Sequence, residues 1–119
     1  MAEGLANHYG SDVLMATSAG LAPIPGIPPD TVRCMEELDI DMSAHVPQLY
    51  NPLEASDYDI VVNMSGFRLP GPQPKHLIEW KVTDPYRAPA DLYRAVRGDL
   101  EQRVMRLILE LRKRAKLAG

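Results

Sequence analysis

Runs of apolar and polar residues along this chain differ in period, and the periods predict its elements. Ala2, Glu3, Leu5 and Ala6 are good helix formers, so Met1–Tyr9 reads as a helix that stops at Gly10. No Ser, Thr, Asp or Asn precedes it as a cap. Asp12–Ser18 is continuously apolar in its middle and predicts a buried strand. Leu21–Pro29 holds four prolines and a glycine and must be an extended connection. From Pro29 or Asp30 to about Asp39 the spacing predicts a helix. It would bury Val32, Cys34, Met35 and Leu38 and turn Arg33, Glu36 and Glu37 outward. Leu49–Ser56 has room for one or two helical turns.

Asp57–Gly66 is the segment around which the rest is arranged. Its run Ile60-Val61-Val62 is too short for a helix and rich in β-branching, which suits a strand of a parallel sheet over Asp59–Met64. Loops at the carboxyl ends of such strands carry sites in open α/β folds, so Asn63–Phe67 is an expected lip of one. Phe67–Lys75 is loop, and His76–Val82 reads as a further strand, nearer an edge. Pro85 forbids ladder pairing beyond it. Val96, Leu100, Val104, Leu107, Ile108 and Leu111 then repeat at three and four, predicting a helix from an Asp91 cap to about Lys116. Arg94, Arg97, Arg103, Arg106, Arg112, Lys113 and Arg114 fall on its other face, read as solvated. Helices alternating with three strands imply an α/β sandwich on a small parallel sheet, thin for its kind.

Composition narrows the function classes. The 119 residues suit a single domain spanning 1–119. A net charge of −3 gives no reason to expect nucleic acid. No apolar run reaches membrane-spanning length, and the first residues lack the pattern of a signal peptide, so the expected location is cytoplasmic. Cys34 is the one cysteine, which excludes an intrachain disulfide. It falls on a helix and reads as a small buried apolar residue. His8, His45 and His76 share no metal-ligand spacing, and neither metal nor cofactor is expected. Ser18 and Ser65 have no elbow or base beside them in sequence, which argues against a serine nucleophile. His45, in a connection, is expected to bond backbone. Trp80 reads as packing.

Several stretches together resemble the low-molecular-weight protein tyrosine phosphatase superfamily, including its thioredoxin-coupled arsenate reductases. Met1-Ala2-Glu3-Gly4-Leu5-Ala6 resembles the helix after the family's phosphate loop, and Ser18-Ala19-Gly20-Leu21 the turn after its second strand. Val32-Arg33-Cys34-Met35 through Ile40-Asp41-Met42-Ser43-Ala44-His45 resembles its second helix and the segment that follows. Asp59–Met64 and Asp84-Pro85-Tyr86 resemble its third strand and its general-acid loop.

The resemblance implies a phosphotyrosine phosphatase I-like three-layer fold. It also implies a cysteine thiolate in a Cys-x5-Arg loop and an aspartic acid that protonates the leaving oxygen. Asp84 matches the acid, and Tyr86, Asn63 and Ser65 would flank the substrate. Nothing matches the nucleophile loop, which belongs just before Met1 together with the first, central strand. The chain is therefore expected to be N-terminally incomplete and inactive as it stands, with phosphomonoester hydrolysis in a longer form. One alternative is a non-catalytic relative that forms homo-oligomers through exposed sheet edges. A weaker alternative is an arsenate reductase, against which Ser65 stands where such enzymes place a resolving cysteine. A phosphorylated ligand is expected only if the missing loop is supplied; neither nucleic acid nor membrane is an expected partner.

Overall fold

The computed structural model describes residues 1–22, 26–85 and 88–118. In chain order it has α1 (Ala2–Gly10), α2 (Pro29–Glu36), α3 (Pro52–Ala55), β1 (Val61–Asn63), β2 (Leu77–Glu79) and α4 (Ala90–Ala118). The arrangement is α/β, with a two-stranded parallel sheet.

α4 is the axle. Its 29 residues give a rod of about 44 Å at 1.5 Å per residue, which matches the longest dimension of the molecule, 42 Å. α1 and α2 both pack against it. The core is one cluster: Leu5 from α1, Met35 from α2, Ile40 and Met42 from the segment after α2, and Val96, Leu100, Val104 and Ile108 from α4. The predicted stripe of α4 is thus the seam of the core, with Leu107 and Leu111 half-buried at its margin. Trp80 and Val82 pack against the same cluster from the end of β2. α1 fits closely because Gly10 has no side chain; a Cβ there would lie 2.7 Å from Ile108 Cγ1.

The arginines of α4 are not simply solvated. Arg94 and Arg97 both bond the carboxylate of Glu37, just past α2, and Arg97 also donates to the Cys34 carbonyl. Arg112 bonds Asp12, just past α1, and the carbonyl of Tyr9 in its last turn. They tie the two short helices to the long one.

Three boundaries differ from the sequence reading. Asp91 lies within the first turn of α4 rather than capping it, because the helix begins at Ala90. α1 includes Gly10 and is capped by Ser11. α2 ends at Glu36, three residues early. Asp39 adopts a left-handed conformation (φ 60°) and the Ile40 N–H donates back to the Met35 carbonyl, closing a Schellman-type stop. Of its expected buried stripe, Cys34 and Met35 are buried while Val32 and Leu38 are half-buried.

The larger difference concerns the expected strand at Asp12–Ser18, which is a turn followed by extended coil. The Val13 and Leu14 amides donate to the Gly10 carbonyl, so the segment starts as a continuation of the α1 turn. A strand needs a partner along its edge. Here the side-chain amide of Asn7 takes that place, donating to the Ala16 carbonyl at 2.9 Å and accepting from the Ala16 N–H at 2.8 Å. Among the described residues the sheet therefore has two strands rather than three, in the register Val61↔Leu77, Val62↔Ile78, Asn63↔Glu79. A single parallel bridge, Gly20↔Leu49, fastens the following segments.

Candidate functional site

The chemistry-bearing residues converge on a cleft of about 420 Å³ at the N-terminal end of α1. Met1, Ser18, Ala19, Gly20, Met42, His45, Gln48 and Asp84 are among its walls. The local sequence explains how each side chain arrives there.

Ile40 and Met42 are buried in the core and fix the strip between them. Asp41 accepts from the Ser43 N–H at 2.9 Å and the Ser43 hydroxyl at 2.6 Å, which folds the strip into a turn. Those bonds, the hydroxyl's first, hold the Asp41 carboxyl below its ordinary range. The His45 N–H closes the turn onto the Met42 carbonyl, and the ring is delivered to the cleft. There His45 Nδ1 lies 2.8 Å from Glu3 Oε2, on the first turn of α1. His45 Nε2 lies 3.4 Å from Ser18 Oγ. The expectation that His45 bonds backbone is thus corrected: its ring joins two side chains.

Ser18 is held from behind. Gln48 Nε2 donates to its carbonyl at 2.8 Å, and the Gly20 N–H donates to the Gln48 carbonyl at 2.8 Å. No base stands beside Ser18 in sequence; the ring that faces its hydroxyl comes from 27 positions away, a contact that sequence neighbourhood does not reveal. The signal that could have found it is the Asp41-x-Ser43-x-His45 turn, which aims one ring.

Asp84 lies on the cleft wall, exposed, just before buried Pro85. Tyr86 lies outside the described residues. Asn63 and Ser65 are elsewhere, engaged with each other at the end of β1. Asn63 Oδ1 accepts from the Ser65 N–H at 3.0 Å and its hydroxyl at 2.7 Å, and Asn63 Nδ2 donates to the Phe67 carbonyl at 2.7 Å. Gly66 supplies the positive φ, 79°, that this turn requires. The carboxyl end of β1 is thus a closed loop, and the cleft opens at the head of α1.

Cys34 is buried and is not among the residues lining the cleft. The Met1 amino group is pushed below its usual range by burial, a shift that the Glu3 carboxylate opposes. A second hollow, about 500 Å³ between β2 and α4, is lined by Ile78, Trp80, Arg103 and Arg106 among others. It shares none of the residues nominated for catalysis.

Among the described residues no helix is long and apolar enough to cross a membrane. Residues 1–69 match the family described as low molecular weight phosphotyrosine protein phosphatase. The chain is 32% identical over 115 residues to the glutaredoxin arsenate reductase of Synechocystis sp., covering 93% of this chain and 87% of that one. A solved arsenate reductase in the phosphate binding state is 31% identical, with a TM-score of 0.80 over 92% of this chain and 86% of that one. The low molecular weight protein tyrosine phosphatase of T. tengcongensis, at 23% identity, shares the fold, with a TM-score of 0.75 over 92% and 88%. By sequence and by fold, this chain belongs to the low molecular weight phosphotyrosine protein phosphatase family.

Proposed function

We propose that the chain is an arsenate-reductase-like member of its family, and that the cleft at the head of α1 holds a tetrahedral oxyanion, arsenate or phosphate. One observation carries the reading: Asp84 and Met1, the N-cap of α1, line the same cleft. The first-turn N–H groups of a helix have no carbonyl partner within it and favour negative charge. A carboxyl on the wall is placed to give a proton to a departing oxygen. The similarity to arsenate reductases supports arsenate over a phosphotyrosine-like monoester, since the solved phosphatases agree in fold at lower identity.

Reduction or thiol-based hydrolysis needs a thiolate at the oxyanion. The one thiol of these 119 residues is Cys34, only 5% exposed. On this reading the chain binds the anion and neither reduces arsenate nor cleaves an aryl phosphate. The test is an NMR titration of the 119-residue chain with arsenate and with phosphate, at ionic strength fixed with chloride. Shifts concentrated at Ser18–Gly20, His45–Gln48 and Asp84 are expected. Amides that stay still at millimolar anion would refute the site, and arsenate reduction in the presence of glutathione and glutaredoxin would refute the inertness.

A second reading, an assembly module that pairs with its own copy, is favoured by the edge of the sheet. β1 pairs with β2 on one side, and among the described residues no strand lies along its other side. Unpaired edges recruit partners. Sedimentation at micromolar concentration should show a dimer; a monodisperse monomer removes this reading.

A further inference from the structure

β2 is bonded along one side and open along the other. On its inner side the His76 carbonyl accepts from the Val61 N–H and the Trp80 N–H donates to the Asn63 carbonyl, with Ile78 in register between them. Backbone groups alternate in direction along a strand, so the N–H and C=O of Leu77 and Glu79 point to the outer side. Among the described residues no strand lies there. Beside this edge is the hollow of about 500 Å³ between β2 and α4. Ile78, Trp80 and Leu107 give it apolar walls, and Gln102, Arg103 and Arg106 polar ones. Arg103 is already engaged, with the Asp99 carboxylate at 3.1 Å and the Lys81 carbonyl at 3.1 Å. Arg106 is exposed and has no hydrogen bond or ion pair among the described residues. Lys75 and Lys81, also exposed, flank the strand. With Glu79 and Asp99 set against Lys75, Lys81, Arg103 and Arg106, these residues sum to a positive charge, on a chain whose net charge is −3.

A strand that pairs with this edge sends alternate side chains toward α4. One apolar side chain then lies on Ile78, Trp80 and Leu107, and an acidic one two residues away reaches Arg106. The same edge of a second copy does not fit. Antiparallel pairing centred on Ile78 would bring Lys75 of each copy toward Lys81 of the other, and opposed like charges repel.

We propose that the outer edge of β2 and the hollow beside it bind an extended acidic segment of a partner protein, which joins the sheet as a third strand. Its recognition element is an acidic and an apolar residue two apart. Main-chain bonds to Leu77 and Glu79 supply affinity, and Arg106 and the apolar wall select the sequence. The hollow shares no lining residue with the cleft at the head of α1. Self-pairing through β1 uses the opposite edge of the sheet, so its success or failure leaves this site standing.

Trp80 is the one tryptophan, so its fluorescence reports on this site. The probe is a capped peptide in which glutamate and isoleucine recur two apart, titrated into the 119-residue chain. Trp80 emission should shift and saturate. Hydrogen exchange at the Leu77 and Glu79 amides should slow about tenfold when peptide stands at about ten times its Kd. Arg106→Ala, a change at an exposed position, should weaken binding about threefold. Lysine in place of the peptide's glutamates should abolish it, and so should N-methylation at alternate residues in either phase, which blocks ladder bonds. Unchanged emission and exchange up to millimolar peptide overturn the proposal. So does an emission shift without protection of the Leu77 and Glu79 amides, equal binding by the methylated or the lysine peptide, or equal affinity in Arg106→Ala. Protection of those two amides that grows with protein concentration and needs no peptide would make a second copy the occupant, and overturns it as well.

Discussion

The bundle of α1, α2 and α4 and the loops between Asp41 and Pro85 hold their shapes by different means. The bundle is fastened by apolar side chains that meet across long sequence distances: Leu5 on Ile108's helix, Met35 and Met42 in the same cluster. The loops are fastened by polar side chains that close on their own backbone within two to four residues, as Asp41 does on Ser43 and Asn63 on Ser65 and Phe67. Apolar burial is worth more per residue than an exposed hydrogen bond. The bundle therefore sets global stability, and the loops set where the cleft residues point.

The largest effect should come from the bundle. Leu5 is fully buried between α1 and α4. Leu5→Ala removes its burial and leaves a cavity, at a cost of about 2–5 kcal/mol. For a domain of this size that is a large fraction of the total stability. Urea unfolding followed by circular dichroism should show a lower midpoint with an unchanged slope. A cost under about 1 kcal/mol would mean that α1 is not part of the core.

The same contrast explains what could be read from sequence. The bundle announces itself through spacing: Val96, Leu100, Val104 and Ile108 repeat on one face, and all are buried. The strands at Val61 and Leu77 are visible as short β-branched or alternating runs, longer in the pattern than in the ladder. Val13–Ala16 has the same apolar signature and forms no strand. The pattern records a preference for burial, whereas a ladder also needs a neighbour, and here Asn7 supplies the bonds. In the cleft, Asp84 was legible from the Asp-Pro pair and its family resemblance. The Ser18–His45–Glu3 array was not, because its members are brought together by the fold of three separate segments. The arginines of α4 likewise gain their role only when Glu37 and Asp12 are set opposite them.

A smaller effect is expected in the loops. Asn63 is buried and makes bonds from both ends of its amide. Asn63→Ala strips a partner from the Ser65 N–H and the Phe67 carbonyl. Residues 64–68 are exposed, so water replaces part of what is lost. The cost should be about 1 kcal/mol, at the low end for an unpaired polar group. Hydrogen exchange at the Ser65 amide should accelerate while exchange in α4 stays put. If the substitution lowered the unfolding midpoint as far as Leu5→Ala does, the division between bundle and loops would be wrong.

The smallest effect lies at the seam where the bundle is held by charge. Hydrogen bonds from Arg94 and Arg97 take the Glu37 carboxyl from an ordinary 4.5 down to about 2. The unfolded chain therefore binds a proton at Glu37 at a pH where the folded chain still resists it. Stability from this group is complete above about pH 4.5 and is lost as pH falls toward about 2. Asp12, depressed by its hydrogen bond with Arg112, and Asp41, depressed by Ser43, act in the same direction. Glu37 is exposed to water, and so are both arginines' ends of the pair in part, so solvent screens the interaction and its share is modest. Unfolding midpoints measured from pH 5 down to pH 2 should fall less steeply in Glu37→Gln than in the unsubstituted chain, and added salt should narrow the gap between them. A parallel fall in both would mean that the α2–α4 seam holds by Cys34, Met35 and their apolar neighbours alone, and that the charge bridging the two helices is incidental to their docking.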